Sequence, residues 1–314
     1  TDSDITQARA RTSIAQIGST KILFEPFQYE FFVNGIVAAG LAGSLTGLVG
    51  VYIVLRKMAY IGHGLSHAIF GGAVVSFVMS INFFLGASVW GVFSALLITI
   101  TARKRTIGAD AAIGIVTTAS FALGIAIISK YKTFTRSFDA ALFGNVLGVS
   151  DGDLLALVLV LSATICTVFV GYKLFLFTAF DSEVGRLYGV PTGWVDIMFS
   201  LILAATIVVS MQILGVTLIA ANVVIPPIIA RMITNSFRRM IVLSTVVGSL
   251  CGIVGIYLSY YIDVSSGATI VLVGSTLFVL ALLYNTIRAR RYDIGSLFKK
   301  KPAITKMPFS SDKL

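Results

Sequence analysis

Residues 31–55 read FFVNGIVAAGLAGSLTGLVGVYIVL, with no charged side chain, and Arg56 and Lys57 follow at once. At ~1.5 Å per residue this run is long enough to cross a ~30 Å hydrocarbon core as one helix. Inside lipid, every backbone N–H and C=O must bond within its own segment, which makes the run helical. Working outward, similar runs fall at 64–81, 83–102, 111–129, 154–177, 195–213, 214–233, 240–260 and 267–287. The pair 195–213 and 214–233 merges through Gly215, and 64–81 is rich in Gly and Ser, so eight spans is the alternative to nine. The expected fold is all-α, a polytopic transmembrane bundle of eight or nine spans. Composition agrees. Of 314 residues, 57% are hydrophobic and 12% charged, and the mean hydropathy is +0.94. Soluble chains carry about 25% charged residues. The ~10-residue alternating strands of a membrane barrel do not occur.

The formal net charge of +10 follows the helix ends. With the end of the first span placed inside, only Arg9, Arg11, Lys21, Lys130, Lys132 and Arg136 fall outside, and the other 18 of the 24 Lys and Arg are cytoplasmic. Cationic residues favour the cytoplasmic side, so the N-terminus is expected outside and the C-terminus inside. This divides the chain into an extracytoplasmic segment (1–29), a transmembrane domain (30–288) and a basic cytoplasmic tail (289–314) suited to resting on anionic lipid. Residues 1–20 lack a signal-peptide pattern. The basic residues form no stripe interleaved with aromatics, so no nucleic-acid partner is expected. Cys166 and Cys251 sit singly in apolar runs, as small core residues do.

Several chemistries are missing. There is no Gly-rich loop ending in Gly-Lys-Ser/Thr to cradle ATP phosphates, no His-Glu-x-x-His, no Gly-x-Ser-x-Gly and no Cys-x-x-Cys. The chain is therefore expected to be no enzyme and to hold no permanent cofactor. Transport remains, driven by an ion gradient or by a partner.

Three stretches carry candidate chemistry. Gly62-His-Gly-Leu-Ser-His-Ala68 holds the only histidines of the chain, His63 and His67, one helical turn apart. Imidazoles at i and i+4 share a helix face and can pass a divalent metal from one to the other. Packed or backbone-bonded histidines are the competing reading, but ionisable residues in a span are costly and functional by default. Ser66 lies between them. Leu218-Ile-Ala-Ala-Asn-Val-Val-Ile-Pro-Pro-Ile-Ile-Ala-Arg231 places Pro226 and Pro227 within a span, where they delete two donors, with Asn222 as a polar neighbour. A helix broken there would expose carbonyls to a translocation path; a simple kink is the alternative. Phe180-Asp-Ser-Glu-Val-Gly-Arg-Leu-Tyr-Gly-Val-Pro191, in the longest inner loop, can form a short surface helix capped by Asp181, with Val184, Leu187 and Tyr188 on one apolar face.

Together these stretches resemble the metal-type ABC transporter permeases. Val54-Leu-Arg-Lys-Met-Ala-Tyr-Ile-Gly-His-Gly-Leu-Ser-His-Ala68 is similar to that family's V-x-R-R-M-A-x-x-G-D-A-L-S-H-A, and Leu142-Phe-Gly-Asn-Val-Leu-Gly-Val-Ser150 to its L-F-G-N-I-L-x-V-S. Phe180-Asp-Ser-Glu with Gly189-Val-Pro191 resembles the F-D-P-E…G-x-P coupling segment. Ile225-Pro-Pro-Ile-Ile-Ala-Arg231 resembles I-P-A-A-x-A-R, and Ser259-Tyr-Tyr-Ile-Asp-Val-Ser-Ser-Gly-Ala268 resembles S-Y-x-x-D-x-P-x-G. The resemblance covers about 27–287. It implies a permease of the bacterial plasma (inner) membrane that imports a divalent metal such as manganese, zinc or iron; with no cysteine near the histidines and few nitrogen ligands overall, manganese is favoured over zinc. Its implied partners are a cytoplasmic ATPase subunit, an extracytoplasmic metal-binding protein and a second copy of itself. His67 carries over as a metal contact, whereas His63 stands where the family has Asp. Asp181, Glu183, Arg186 and Leu187 are the expected ATPase contacts, and Lys130, Lys132 and Arg136 the expected docking cations for the binding protein. A siderophore- or cobalamin-type permease, or an ion-coupled secondary transporter, is the alternative.

Overall fold

The computed structural model describes residues 25–102, 107–131, 142–144, 148–180 and 182–298. After a short 3-10 turn at Glu25–Gln28, eleven α-helices follow among the described residues: α1 (Glu30–Leu55), α2 (Tyr60–Val78), α3 (Phe83–Ala102), α4 (Ala109–Tyr131), α5 (Asp151–Val170), α6 (Tyr172–Phe180), α7 (Ser182–Leu187), α8 (Thr192–Leu214), α9 (Ile219–Ile233), α10 (Phe237–Ile262) and α11 (Ser266–Phe298). No strand occurs among them. Eight helices are long and apolar enough to cross a membrane.

The helices form a bundle centred on α1. In the apolar window of α1, 78% of residues are buried, against 17% for α5 and 22% for α11, so α1 is the axis and the other two lie at the rim. The rim is apolar too: Phe169 and Val170 are 82% and 80% exposed. Such a surface is stable only against lipid. The chain is therefore a multi-pass membrane protein.

Side-chain contacts place the helix ends. Tyr52, near the end of α1, touches Phe175 of α6 and Phe237 of α10, with ring centroids 5.4 and 5.6 Å away. Arg56 pairs with Asp196 near the start of α8 at 3.0 Å. The starts of α8 and α10 thus lie at one end of the bundle, and the chain must cross back between them. It does so through α9, whose 15 residues span ~22 Å, short of a full hydrocarbon core. The expected span 214–233 is therefore a shortened crossing. The missing length is taken by the turn at Gly215, whose φ of 76° and ψ of 150° suit glycine alone. A Cβ there would lie 2.5 Å from the Leu142 carbonyl oxygen. Thr217 ties the same turn down, its hydroxyl donating to that oxygen at 2.8 Å.

The expected run 154–177 is divided. α5 ends at Val170, the chain bends at Gly171, and α6 lays Phe175, Thr178 and Ala179 back onto the bundle. The start of α5 is fixed by a capping box. The Ser150 hydroxyl accepts from the Asp153 N–H, and the Asp153 carboxylate accepts from the Ser150 N–H at 2.9 Å.

The most extensive helix pair is α1 against α10, and it is built from glycine. Gly43 faces Gly248, Gly47 faces Ser244, and Gly252 lies against Ala39 and Gly40. The Ser244 hydroxyl donates across to the Gly47 carbonyl at 2.6 Å. Small residues four apart let two membrane helices approach until backbone touches backbone.

Candidate functional site

α2 starts at Tyr60, four residues earlier than its hydrophobicity suggests, so His63 lies in its first turn and His67 in its second. The rings stand nearly perpendicular at 82°, with centroids 4.5 Å apart. Both side chains are half-buried. Tyr60 flanks His63 at 5.6 Å and is 55% exposed, while Phe121 of α4 flanks His67 at 5.0 Å. The turn between them is held by close packing. A Cβ on Gly64 would meet Ile113 and Thr117 of α4 at 2.7 Å, and Gly62 lies against Val223 of α9. The Nδ1 of His67 is buried without a hydrogen-bond partner. A buried imidazole nitrogen normally has one. No three His, Cys, Asp or Glu side chains converge among the described residues. One chain therefore offers a divalent ion two ring nitrogens, which suits transient contact better than retention.

The other sequence-derived positions fall as follows. Ser66 is buried and its hydroxyl donates to the His63 carbonyl at 2.8 Å, turning it toward its own helix. Asn222 is buried and donates to the Thr46 hydroxyl at 2.8 Å, joining α9 to α1. Pro226 and Pro227 do not break their helix; α9 runs through both. Pro227 cannot donate to the Val223 carbonyl one turn back. That oxygen faces α1 at Gly50, where a Cβ would lie only 1.9 Å away. The freed carbonyl is thus covered by close backbone packing within the chain.

At the Arg56 end, the loop between α6 and α8 holds the expected short helix, α7. Glu183 and Arg186 are exposed, Leu187 is 87% exposed and Tyr188 77%. Arg186 Nε donates to Thr192 at 3.2 Å, which anchors α7 to the start of α8. Asp181 lies outside the described residues. Lys130 lies in the last turn of α4, exposed, with its ammonium 5.7 Å from the Tyr131 ring. Lys132 and Arg136 lie outside the described residues.

Two features escaped the sequence reading. One is the Arg56–Asp196 pair, bridging positions 140 residues apart. Asp196 is an acidic residue inside a span, and that alone marks it. The other is the pair of Gly-x-x-x-Gly motifs at 43/47 and 248/252, visible as spacing in the sequence.

An all-helical bundle with a short re-crossing helix, a histidine pair on a central span and an exposed short helix at one end is a polytopic membrane protein. The chain belongs to the ABC 3 transport family, whose model matches residues 28–285. It is 35% identical to the manganese transport system membrane protein MntC of Listeria monocytogenes, over 87% of this chain and 95% of that one. It is 34% identical to the chelated iron transport system membrane protein YfeD of Yersinia pestis, over 85% and 90%. Among solved structures, PsaBC from Streptococcus pneumoniae in complex with Fab superposes with a TM-score of 0.75 at 31% identity, covering 83% of this chain and 95% of that one. Family and spans together make the protein a multi-pass component of the bacterial plasma membrane.

Proposed function

We propose that the chain is the transmembrane subunit of an ABC importer for divalent metal ions, with manganese as its principal cargo. The observation that carries this reading is the His63–His67 pair, 4.5 Å apart on a tightly held helix, with the Nδ1 of His67 buried and unpartnered. Similarity to a manganese transport protein over 87% of the chain is the support for manganese over zinc. Similarity to a chelated-iron protein favours iron as the second cargo. Energy comes from a separate ATPase subunit docked on α7 through Glu183, Arg186, Leu187 and the neighbouring Asp181. A second copy of the chain completes the metal contact by facing its own histidines to these. The Arg56 end is cytoplasmic, 1–29 is extracytoplasmic and 289–314 is the cytoplasmic tail. The extracytoplasmic metal-binding protein docks near Lys130, Lys132 and Arg136.

The test is ATP-driven uptake of radiolabelled manganese into vesicles that hold the complete transporter. His67→Ala abolishes uptake while the ATPase subunit still co-purifies, and His63→Asp retains it. Excess zinc or iron(II) as competitor ranks the cargoes. Normal uptake per folded molecule in His67→Ala overturns the reading.

A further inference from the structure

Arg56 follows the last residue of α1, and its side chain is only 10% exposed. Nη1 donates to the Asp196 carboxylate of α8 at 3.0 Å, and Nη2 donates to the Thr178 hydroxyl of α6 at 2.9 Å. The guanidinium carbon stands 4.6 Å over the Phe199 ring. One planar cation therefore clasps three elements, and the rigid fork of arginine fixes their mutual angle in a way a point charge cannot. An apolar side chain would hold these helices together without the desolvation cost of a buried charge, so packing alone does not account for the arrangement.

The two sides of the clasp lead to different places. Thr178 sits on α6, which is tied to the exposed α7: the Phe177 and Tyr188 rings stack at 6.3 Å. Behind Arg56, the chain turns through Lys57, whose φ is +57°, and Met58, whose N–H donates to the Ile53 carbonyl. α2 then starts at Tyr60 and presents His63. Only six residues separate the clasp from the metal contact. An open cleft of about 520 Å³, lined among others by Arg56, Thr178, Glu183 and Arg186, lies at this corner.

We propose that Arg56 is a positioning residue that carries displacement of the α6–α7 segment to the start of α2, with Thr178 as its moving contact and Asp196 and Phe199 as its fixed seat. The inference rests on the proposed coupling role of α7. Thr178→Val severs the α6 branch with almost no change of shape and leaves the Arg56–Asp196 pair in place. Thr178→Ser keeps the acceptor.

Both variants are made in the complete transporter together with Tyr60→Cys and Cys166→Ser, so that a fluorophore at position 60 reports motion of α2 on ATP binding. Manganese moved per ATP hydrolysed is measured beside it. With Thr178→Val, the ATP-dependent signal and the transport ratio fall about tenfold, the shift one charge-assisted hydrogen bond can hold. Melting temperature falls by only a few degrees, as expected for one lost hydrogen bond, ATPase binding stays as in the parent, and Thr178→Ser behaves as the parent. An unchanged signal in Thr178→Val, a loss that tracks folded protein, or a parent with no ATP-dependent signal at position 60 overturns the proposal. A parent that gives the signal but moves no manganese overturns the metal reading and leaves the clasp standing.

Discussion

Gly248→Ala tests the glycine contact on which the bundle axis depends. The new methyl would lie 2.1 Å from the Gly43 carbonyl oxygen and 2.9 Å from its carbon, both backbone atoms that cannot rotate away. A carbon rests about 3.3 Å from a carbonyl oxygen. α1 and α10 must therefore separate by about 1.2 Å at this level. Overpacking of that kind costs about 1–3 kcal/mol. Separation also stretches the 2.6 Å hydrogen bond from Ser244 to Gly47, and a hydrogen bond between membrane helices contributes about 0.6 kcal/mol. The combined loss is about 2–4 kcal/mol, enough to lower the melting temperature by roughly 5 °C or more in a chain of this size. The matched control is Gly114→Ala in α4, where a Cβ meets nothing within 4 Å. There the substitution only removes backbone freedom and should raise stability by about 0.5–1 kcal/mol. Both variants are compared with the parent in detergent, by thermal unfolding read from the loss of the monodisperse chromatographic peak. A Gly248→Ala protein as stable as the parent would refute the argument that backbone contact sets the α1–α10 distance.

Gly215→Ala should be more damaging than Gly248→Ala, because it combines a left-handed backbone with a 2.5 Å clash against the Leu142 oxygen; a well-folded protein in normal yield would show that the turn has slack. Leu187→Asp places a charge on the most exposed apolar residue of α7 and should abolish co-purification with the ATPase subunit while leaving membrane insertion intact; undiminished binding would reduce α7 to a connector. Lys130→Glu should slow uptake at low ionic strength and lose that effect as salt is added, since rim charges act on association and are screened; equal uptake at every salt concentration would remove Lys130 from the docking surface.

What the sequence disclosed follows from how membrane helices are written. Each span is apolar nearly all round, so length and hydropathy located seven of the expected nine runs as single full-length helices, several to within a residue or two. The two failures share a cause. Hydropathy sums over a window and is blind to a bend. The apolar residues beyond Gly171 extended the fifth run into α6, and those around Gly215 promoted a 15-residue helix to a full span. Amphipathic periodicity, which in a soluble protein tells inside from outside, is erased when the solvent is itself apolar, so the facing of α1 toward α10 could be read only from glycine spacing.

The site divides the same way. The histidine pair was legible because two imidazoles at i and i+4 are conspicuous among so few polar groups. Its setting was not, since the Phe121 ring that flanks His67 comes from a helix some fifty residues away. The prolines misled for a physical reason. Deleting a donor frees a carbonyl, but a freed carbonyl in lipid must still be covered, and Gly50 supplies the cover by bringing the α1 backbone against Val223. Arg56 was counted with the cationic residues that set orientation, and that role does not exhaust it. A guanidinium at a helix end can mark the cytoplasmic side and, given a carboxylate on a second helix and a hydroxyl on a third, also fix the angle between them. Only the fold brings residues 56, 178 and 196 together, so a charge that reads as topology in one dimension becomes a clasp in three.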